Sequence, residues 1–317
     1  MSGAPALAPA PPAKPPGMLA RARDSDLWHS FKRSKLVVVA AAVTAIIVLA
    51  ALFAPWIAPH DPFDLAKIDL LDARDPPAWA AGGDPKFWLG TDHLGRDIFS
   101  TILYGARISV GVSVFAVGLA MVIGVSLGLV AGYSGGAVET VIMRVADVQL
   151  TFPAILTALL VNGVARSLVG INHAGGEFWI LVVSIGLSFW VQFARTVRGS
   201  TLVEKNKEYV QAARVIGRAP LAIMLRHVLP NVMGPVLVIA TIHIATAIIT
   251  EATLSFLGVG VPPTKPSLGT LIRVGNEYLM SGEWWITIFP GIALVTLVLA
   301  VNLLGDWLRD ALNPKLR

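Results

Sequence analysis

Residues 208–231 read EYVQAARVIGRAPLAIMLRHVLPN, a polar and basic stretch between two long apolar runs. Tyr209, Ala212, Ala213 and Ile216 fall at i, i+3, i+4 and i+7, the spacing of one apolar helix face, and Gly217 follows where a helix C-terminus favours glycine. Pro220 suits a first helical turn, Leu221, Met224, Leu225 and Val228 repeat the spacing, and Pro230 is expected to stop the second helix. The stretch therefore predicts two short amphipathic helices joined at a glycine turn. Resting on lipid headgroups would suit Arg214, Arg218 and Arg226. The pair Ala212 and Ala213 argues for a protein partner, because minimal side chains beside the turn let another backbone approach.

The surrounding chain is hydrophobic at 55% of its positions and charged at only 14%, with a mean hydropathy of +0.69, whereas soluble domains carry about 25% charged residues. Six apolar runs, 36–57, 108–132, 140–163, 178–196, 232–256 and 286–305, are each near the roughly 20 residues that cross a bilayer. The fold class is all-α, a polytopic membrane protein with six transmembrane helices. Arg144 and Asp147 interrupt the third run and Pro153 is expected to kink it; Ser184, Ser188 and Gln192 dilute the fourth. The first run is too long, and too far from the N-terminus, for a cleavable signal peptide.

Lys and Arg set the orientation, because basic loops resist translocation. Seventeen lie before residue 36, at Arg144, between 195 and 230 or in the tail, against eight in the opposite segments, which places both termini in the cytoplasm. The net charge of +5 thus reflects topology, and no basic face with interleaved aromatics calls for nucleic acid. The absence of Cys excludes disulfides and thiolate metal sites. The organisation read from these patterns is a disordered cytoplasmic tail at 1–26, rich in Pro and Ala; the first span and an external lobe at 27–107; a membrane domain at 108–306 with its cytoplasmic loop at 197–230; and a cytoplasmic tail at 307–317. The lobe carries eight Asp against five Lys or Arg, an acidic surface, and Trp79, Phe87 and Trp88 suit the lipid interface. It reads either as a solvated loop or as a docking surface for a soluble partner.

The pattern of Ala212, Ala213, Gly217, Leu229 and Pro230 resembles the EAA loop of binding-protein-dependent ABC importer permeases, with Gln211 where the family has Glu and with Glu208 nearby. LGTDHLGRDIFSTILYGARISV at 89–110, EATLSFLGVGVPPTKPSLGTLI at 251–272 and LGDWLRDALNPKLR at the C-terminus resemble C-type permeases of dipeptide and oligopeptide importers. The resemblance implies a type I ABC importer transmembrane domain in the bacterial inner membrane. It implies as partners a second homologous permease, two cytoplasmic ATPase subunits docked on the EAA loop, and a periplasmic solute-binding protein. The chain has no phosphate-binding GxxxxGK[ST] loop, so it is expected to be no enzyme and to hold no cofactor, ATP and Mg belonging to the partner ATPase. Nickel and glutathione importers share these features and remain alternatives to peptide.

Polar residues within the runs are candidates for a translocation path. Asp147 and Thr151 share a face with Arg144, which also allows a plain Arg144–Asp147 ion pair. His243 and Glu251 lie about 12 Å apart along the fifth run at 1.5 Å per residue, and His243 could equally bond a neighbouring helix. Asp147, His243 and Glu251 also permit a proton relay in a secondary transporter, although no internal repeat is visible. His60, His93 and His173 are too scattered for a metal site.

Overall fold

The computed structural model describes residues 26–64, 68–169 and 176–311. The Pro-rich tail through residue 25, His173 and the last six residues lie outside them. Among the described residues the regular elements are helical, and the one extended pairing is an isolated bridge between Thr91 and Asp97. Helix α1 spans Asp26–Arg33, α2 Lys35–Leu52, α3 Ala54–Ile57, α4 Ile98–Ser134, α5 Gly136–Leu150, α6 Ala154–Val169 and α7 Gly176–Glu204. Then come α8 Glu208–Val215, α9 Pro220–Ile223, α10 Leu229–Phe256, α11 Leu268–Tyr278 and α12 Trp285–Ala311. Five helices are long and apolar enough to cross a membrane: α2, α4, α7, the rod Pro220–Phe256 and α12. Helices α5 and α6 make a sixth crossing if taken as one broken span.

That break corrects the expected third span. The two arms are bent by 99°, far beyond a proline kink. Pro153 supplies no N–H and pushes Phe152 out of helical geometry. The chain tightens just before it, with the Thr151 and Phe152 amides bonding back only three residues to Val148 and Gln149. The second expected span also changes: α4 starts ten residues before position 108, because the Asp97 carboxylate caps it by accepting from the Ser100 amide at 2.8 Å.

The core sits where α4 crosses α7. Lipid tails are as apolar as Leu, so helices in a bilayer associate by close packing and hydrogen bonding. Ala116, Ala120, Gly124, Gly128 and Gly132 recur every fourth residue on the buried face of α4. A Cβ at Gly124 would lie 2.4 Å from the carbonyl oxygen of Trp190, and one at Gly128 would lie 2.5 Å from that of Ala194. Glycine is required here because backbone touches backbone. Leu181, Ile185 and Phe193 pack around this spine, fully buried.

At the opposite end from residues 208–231, which we call the lobe end, residues 89–100 are a buried knot. The Arg96 guanidinium meets Asp92 at 2.7 Å and donates to the Pro263 carbonyl at 3.0 Å, while Trp285 donates to the Thr91 carbonyl at 3.1 Å. Asp92 and Asp97 are buried and therefore do not add to the acidic surface expected of the lobe; Phe87 is buried too, whereas Trp79 and Trp88 stay exposed.

Candidate functional site

The 208–231 stretch begins as its spacing predicts. Helix α8 ends in a turn where the Gly217 amide bonds to the Arg214 carbonyl and the Arg218 amide to that of Ala213, with Gly217 at φ +77°. Such a left-handed residue is cheap only for glycine. Glu208 occupies the first turn of α8, where a negative side chain favours the helix dipole.

The second half differs from expectation. After Ile223 the chain widens into a π turn over Met224–Val228 and continues directly into α10, with the Leu229 amide bonding five residues back to Met224. Pro230 therefore does not stop the helix. It follows the π turn inside the rod, and the widened turn there accommodates a residue without an N–H. The Asn231 side chain takes up the His227 carbonyl at 2.7 Å. The loop's second helix is thus one rod with a membrane span, and a push on it is delivered to α10.

Neighbouring alanines have opposite fates. Ala213, 4% exposed, faces inward with Val210, Ile223, Met224 and Val228, all part of the core. Ala212 and Gln211 face outward. The outward face carries Val215 (89% exposed), Ile216 (79%), Leu221 (64%) and Leu225 (50%) around the glycine turn. Large apolar side chains this exposed, with Arg214, Arg218 and Arg226 among them, form a patch of the kind that meets a partner protein or a membrane surface. Leu229 is half-buried and Pro230 exposed at its edge.

The loop is fastened to the bundle from below. The Tyr209 hydroxyl donates to Glu204, which also pairs with Lys207 at 2.9 Å. Burial first, and the Glu204 carboxylate second, push the Tyr209 phenol up to about 12, so it remains a donor at physiological pH. Lys205 caps the α4 C-terminus by donating to the Gly132 carbonyl at 2.7 Å, and Arg214 lies 5.2 Å over the Tyr133 ring. Glu204, Lys205 and Tyr209 were not singled out as site residues: Lys205 reaches Gly132 across 73 residues, and the Glu204–Tyr209 contact crosses the break between α7 and α8, where no single helical period applies.

The path candidates separate. Asp147 pairs with Arg195 of α7 at 2.6 Å and not with Arg144, which is exposed. Helical spacing does align Arg144 and Asp147, but tilting α5 against α7 offers Asp147 a better donor. Glu139 takes Arg198 through Nε at 2.6 Å, and Gln149 joins α5 to α7 by accepting from Trp190 at 2.7 Å. These charges border a cavity of about 490 Å3. Thr151 is exposed at the break and bonds the Val148 carbonyl. His243 lies between the Phe189 and Phe193 rings, at 5.0 and 5.3 Å. Glu251 lines no open path here: it is wholly buried, accepting from Ser109 and Ser255 at 2.7 Å each, while Ser267 donates on to Ser255. This knot binds α4, α10 and the start of α11. Asp147, His243 and Glu251 do not touch one another, so no relay is assembled among them.

A family model described as "Binding-protein-dependent transport system inner membrane component" matches residues 124–317, and one described as "N-terminal TM domain of oligopeptide transport permease C" matches residues 25–77. The chain is 39% identical over 292 residues to the dipeptide transport system permease protein DppC of Haemophilus influenzae, covering 92% of this chain and 95% of that one. It is 37% identical over 306 residues to the di/tripeptide transport system permease protein DppC of Pseudomonas aeruginosa, covering 96% and 97%. The glutathione transport system permease protein GsiD of Escherichia coli is 38% identical over 92% of this chain and 90% of its own. Among solved structures, an inward-facing form of the MetNI methionine ABC transporter aligns with a TM-score of 0.53 at 19% identity, over 67% of this chain and 96% of that one.

Proposed function

We propose, because this chain belongs to the family of binding-protein-dependent transport system inner membrane components, that it is a permease subunit of an ATP-driven importer of dipeptides and short oligopeptides in a bacterial cytoplasmic membrane. One observation carries the mechanism: the exposed apolar face around the Gly217 turn includes Leu221 and Leu225, which lie on a rod that runs on into a membrane span. A cytoplasmic ATPase gripping Val215, Ile216 and Leu221 would move α10, and with it the Glu251 knot, as a lever. ATP and Mg reside on that partner, one of two cytoplasmic ATPase subunits that assemble with this chain and a second permease. A periplasmic binding protein delivers cargo at the lobe, and both termini lie in the cytoplasm, as the basic-residue split supports.

Peptide is favoured as cargo by the names of the relatives that align over more than 90% of both chains. A second reading is glutathione, itself a tripeptide, favoured by relatives of 38–39% identity. Proteoliposomes holding this chain, its second permease and the ATPases, supplied with the binding protein, test both. ATP-dependent uptake of a labelled dipeptide is expected, and competition by glutathione measures the alternative. Uptake by this chain alone, driven by a proton gradient, would overturn the assignment.

A further inference from the structure

At the lobe end, the last turns of α2 and the first half of α4 leave an open cavity of about 610 Å3. A second cavity of about 310 Å3 shares Ile108, Phe178 and Lys265 with it. The wall is divided by depth. Arg107 and Lys265 stand at one end, both exposed and without an ion-pair partner among the described residues. Glu177, which borders the second cavity with Lys265, makes no ion pair with it. Further along α4, away from the lobe, the lining is Val110, Val114 and Phe115, facing Val48 and Leu52 of α2. Arg107 and Val114 are about 10 Å apart along the helix at 1.5 Å per residue.

We propose that this cleft binds one anionic phospholipid in the leaflet opposite the 208–231 loop, its phosphate between Arg107 and Lys265 and an acyl chain along Val110, Val114 and Leu52. The charge order matches that of a lipid: cations at headgroup level and hydrocarbon below. A peptide would need hydrogen-bonding partners along its whole length, and below Arg107 the lining side chains are apolar, on helices whose backbone groups are already paired. A free phosphate would make no use of the apolar wall. The occupant defined by both halves together is a phospholipid, and it would seal α2 to α4 where α2 is otherwise thinly packed.

The test is native mass spectrometry of the full chain in detergent, with dioleoylphosphatidylglycerol and dioleoylphosphatidylethanolamine as paired probes. One phosphatidylglycerol should be retained in preference to phosphatidylethanolamine. The double variant R107Q/K265Q should weaken that retention roughly thirtyfold, each basic residue at a charged membrane surface being worth about a factor of five. Val114→Trp should block the apolar wall and lower retention of both lipids with the charges intact; it carries the test alone if the double variant fails to fold. Excess inorganic phosphate should leave the lipid in place. Equal retention of the two lipids, or unchanged retention in a folded double variant or in Val114→Trp, would overturn the proposal. So would displacement by phosphate, which would make this a free-anion site, or by the second permease, which would make it a protein interface.

Discussion

Helix α7 is held on two faces by opposite means. Toward α4 the contact is made by missing side chains: Gly124, Gly128 and Gly132 bring the backbones together so closely that one added carbon would collide with a carbonyl. Toward α5 it is made by long polar ones, Arg195 with Asp147, Arg198 with Glu139 and Trp190 with Gln149. The first contact has a single workable separation, because packed backbones cannot slide without clash. The second includes two partly exposed ion pairs beside a cavity, which can break and re-form through water. A transporter needs both, a fixed axis and a joint. The difference fits α4 and α7 to the first role and α5 to the second, while α6 stays with the core through buried Ala158.

The axis is where substitution should cost most. Gly128→Leu would drive a branched side chain into the Ala194 carbonyl and Val197, and forced overpacking costs about 1–3 kcal/mol even where neighbours can yield. Backbone cannot yield, so we expect no assembled protein, read as membrane abundance and protease resistance. Wild-type abundance for this variant would remove the distinction between axis and joint. Next in size is Glu251→Ala, which should cost roughly 2–4 kcal/mol through the cavity left and the stranded hydroxyls of Ser109 and Ser255. A lowered melting temperature is the expected outcome. Loss of transport at unchanged stability would instead return Glu251 to the path.

The helices were legible because each apolar run is long, and the glycine turn was legible because Gly217 follows a clean helical stripe. The spine was also present in the sequence, as small residues at every fourth position from Ala116 to Gly132. Hydropathy reads such positions as merely apolar, so the contact they make was missed. The α5–α7 pairs join residues 48 and 59 apart, and no local period encodes them. Helical spacing offers Asp147 only Arg144, its neighbour along one helix, whereas the tertiary approach of α7 supplies Arg195. Pro153 announced a bend but not its size, which also depends on how Thr151 and Phe152 tighten the turn before it.

The loop repeats the same contrast between adjacent residues. Ala213 is small because it packs inward beside Val210 and Ile223, so Ala213→Trp should cost about 1–3 kcal/mol and reduce abundance before any partner is involved. Ala212 is small on the outside. Ala212→Trp should leave abundance near normal and reduce co-purification of the ATPase and peptide uptake. Gly217→Val should act as Ala212→Trp does, by straining the φ +77° turn. Equal abundance for Ala212→Trp and Ala213→Trp would mean that α8 is not seated as described.

The smallest effect should come from the joint, and it is also the most informative. Asp147 and Arg195 are each about half exposed in the chain, at 52% and 48%. In water such a pair is worth about 0–1 kcal/mol, so Asp147→Asn should shift the melting temperature little. The same pair facing hydrocarbon, or closed off against the second permease, would behave otherwise, because removing one partner would strand the Arg195 charge without water. The expected cost is then about 3–5 kcal/mol. Measuring the variant's stability as a single chain and again in the complete transporter separates the cases. A negligible loss in both means that the 490 Å3 cavity beside the pair is wet and that α5 can part from α7 during transport. A large loss confined to the complex would place the joint at the interface between permeases, where it could move only with its partner.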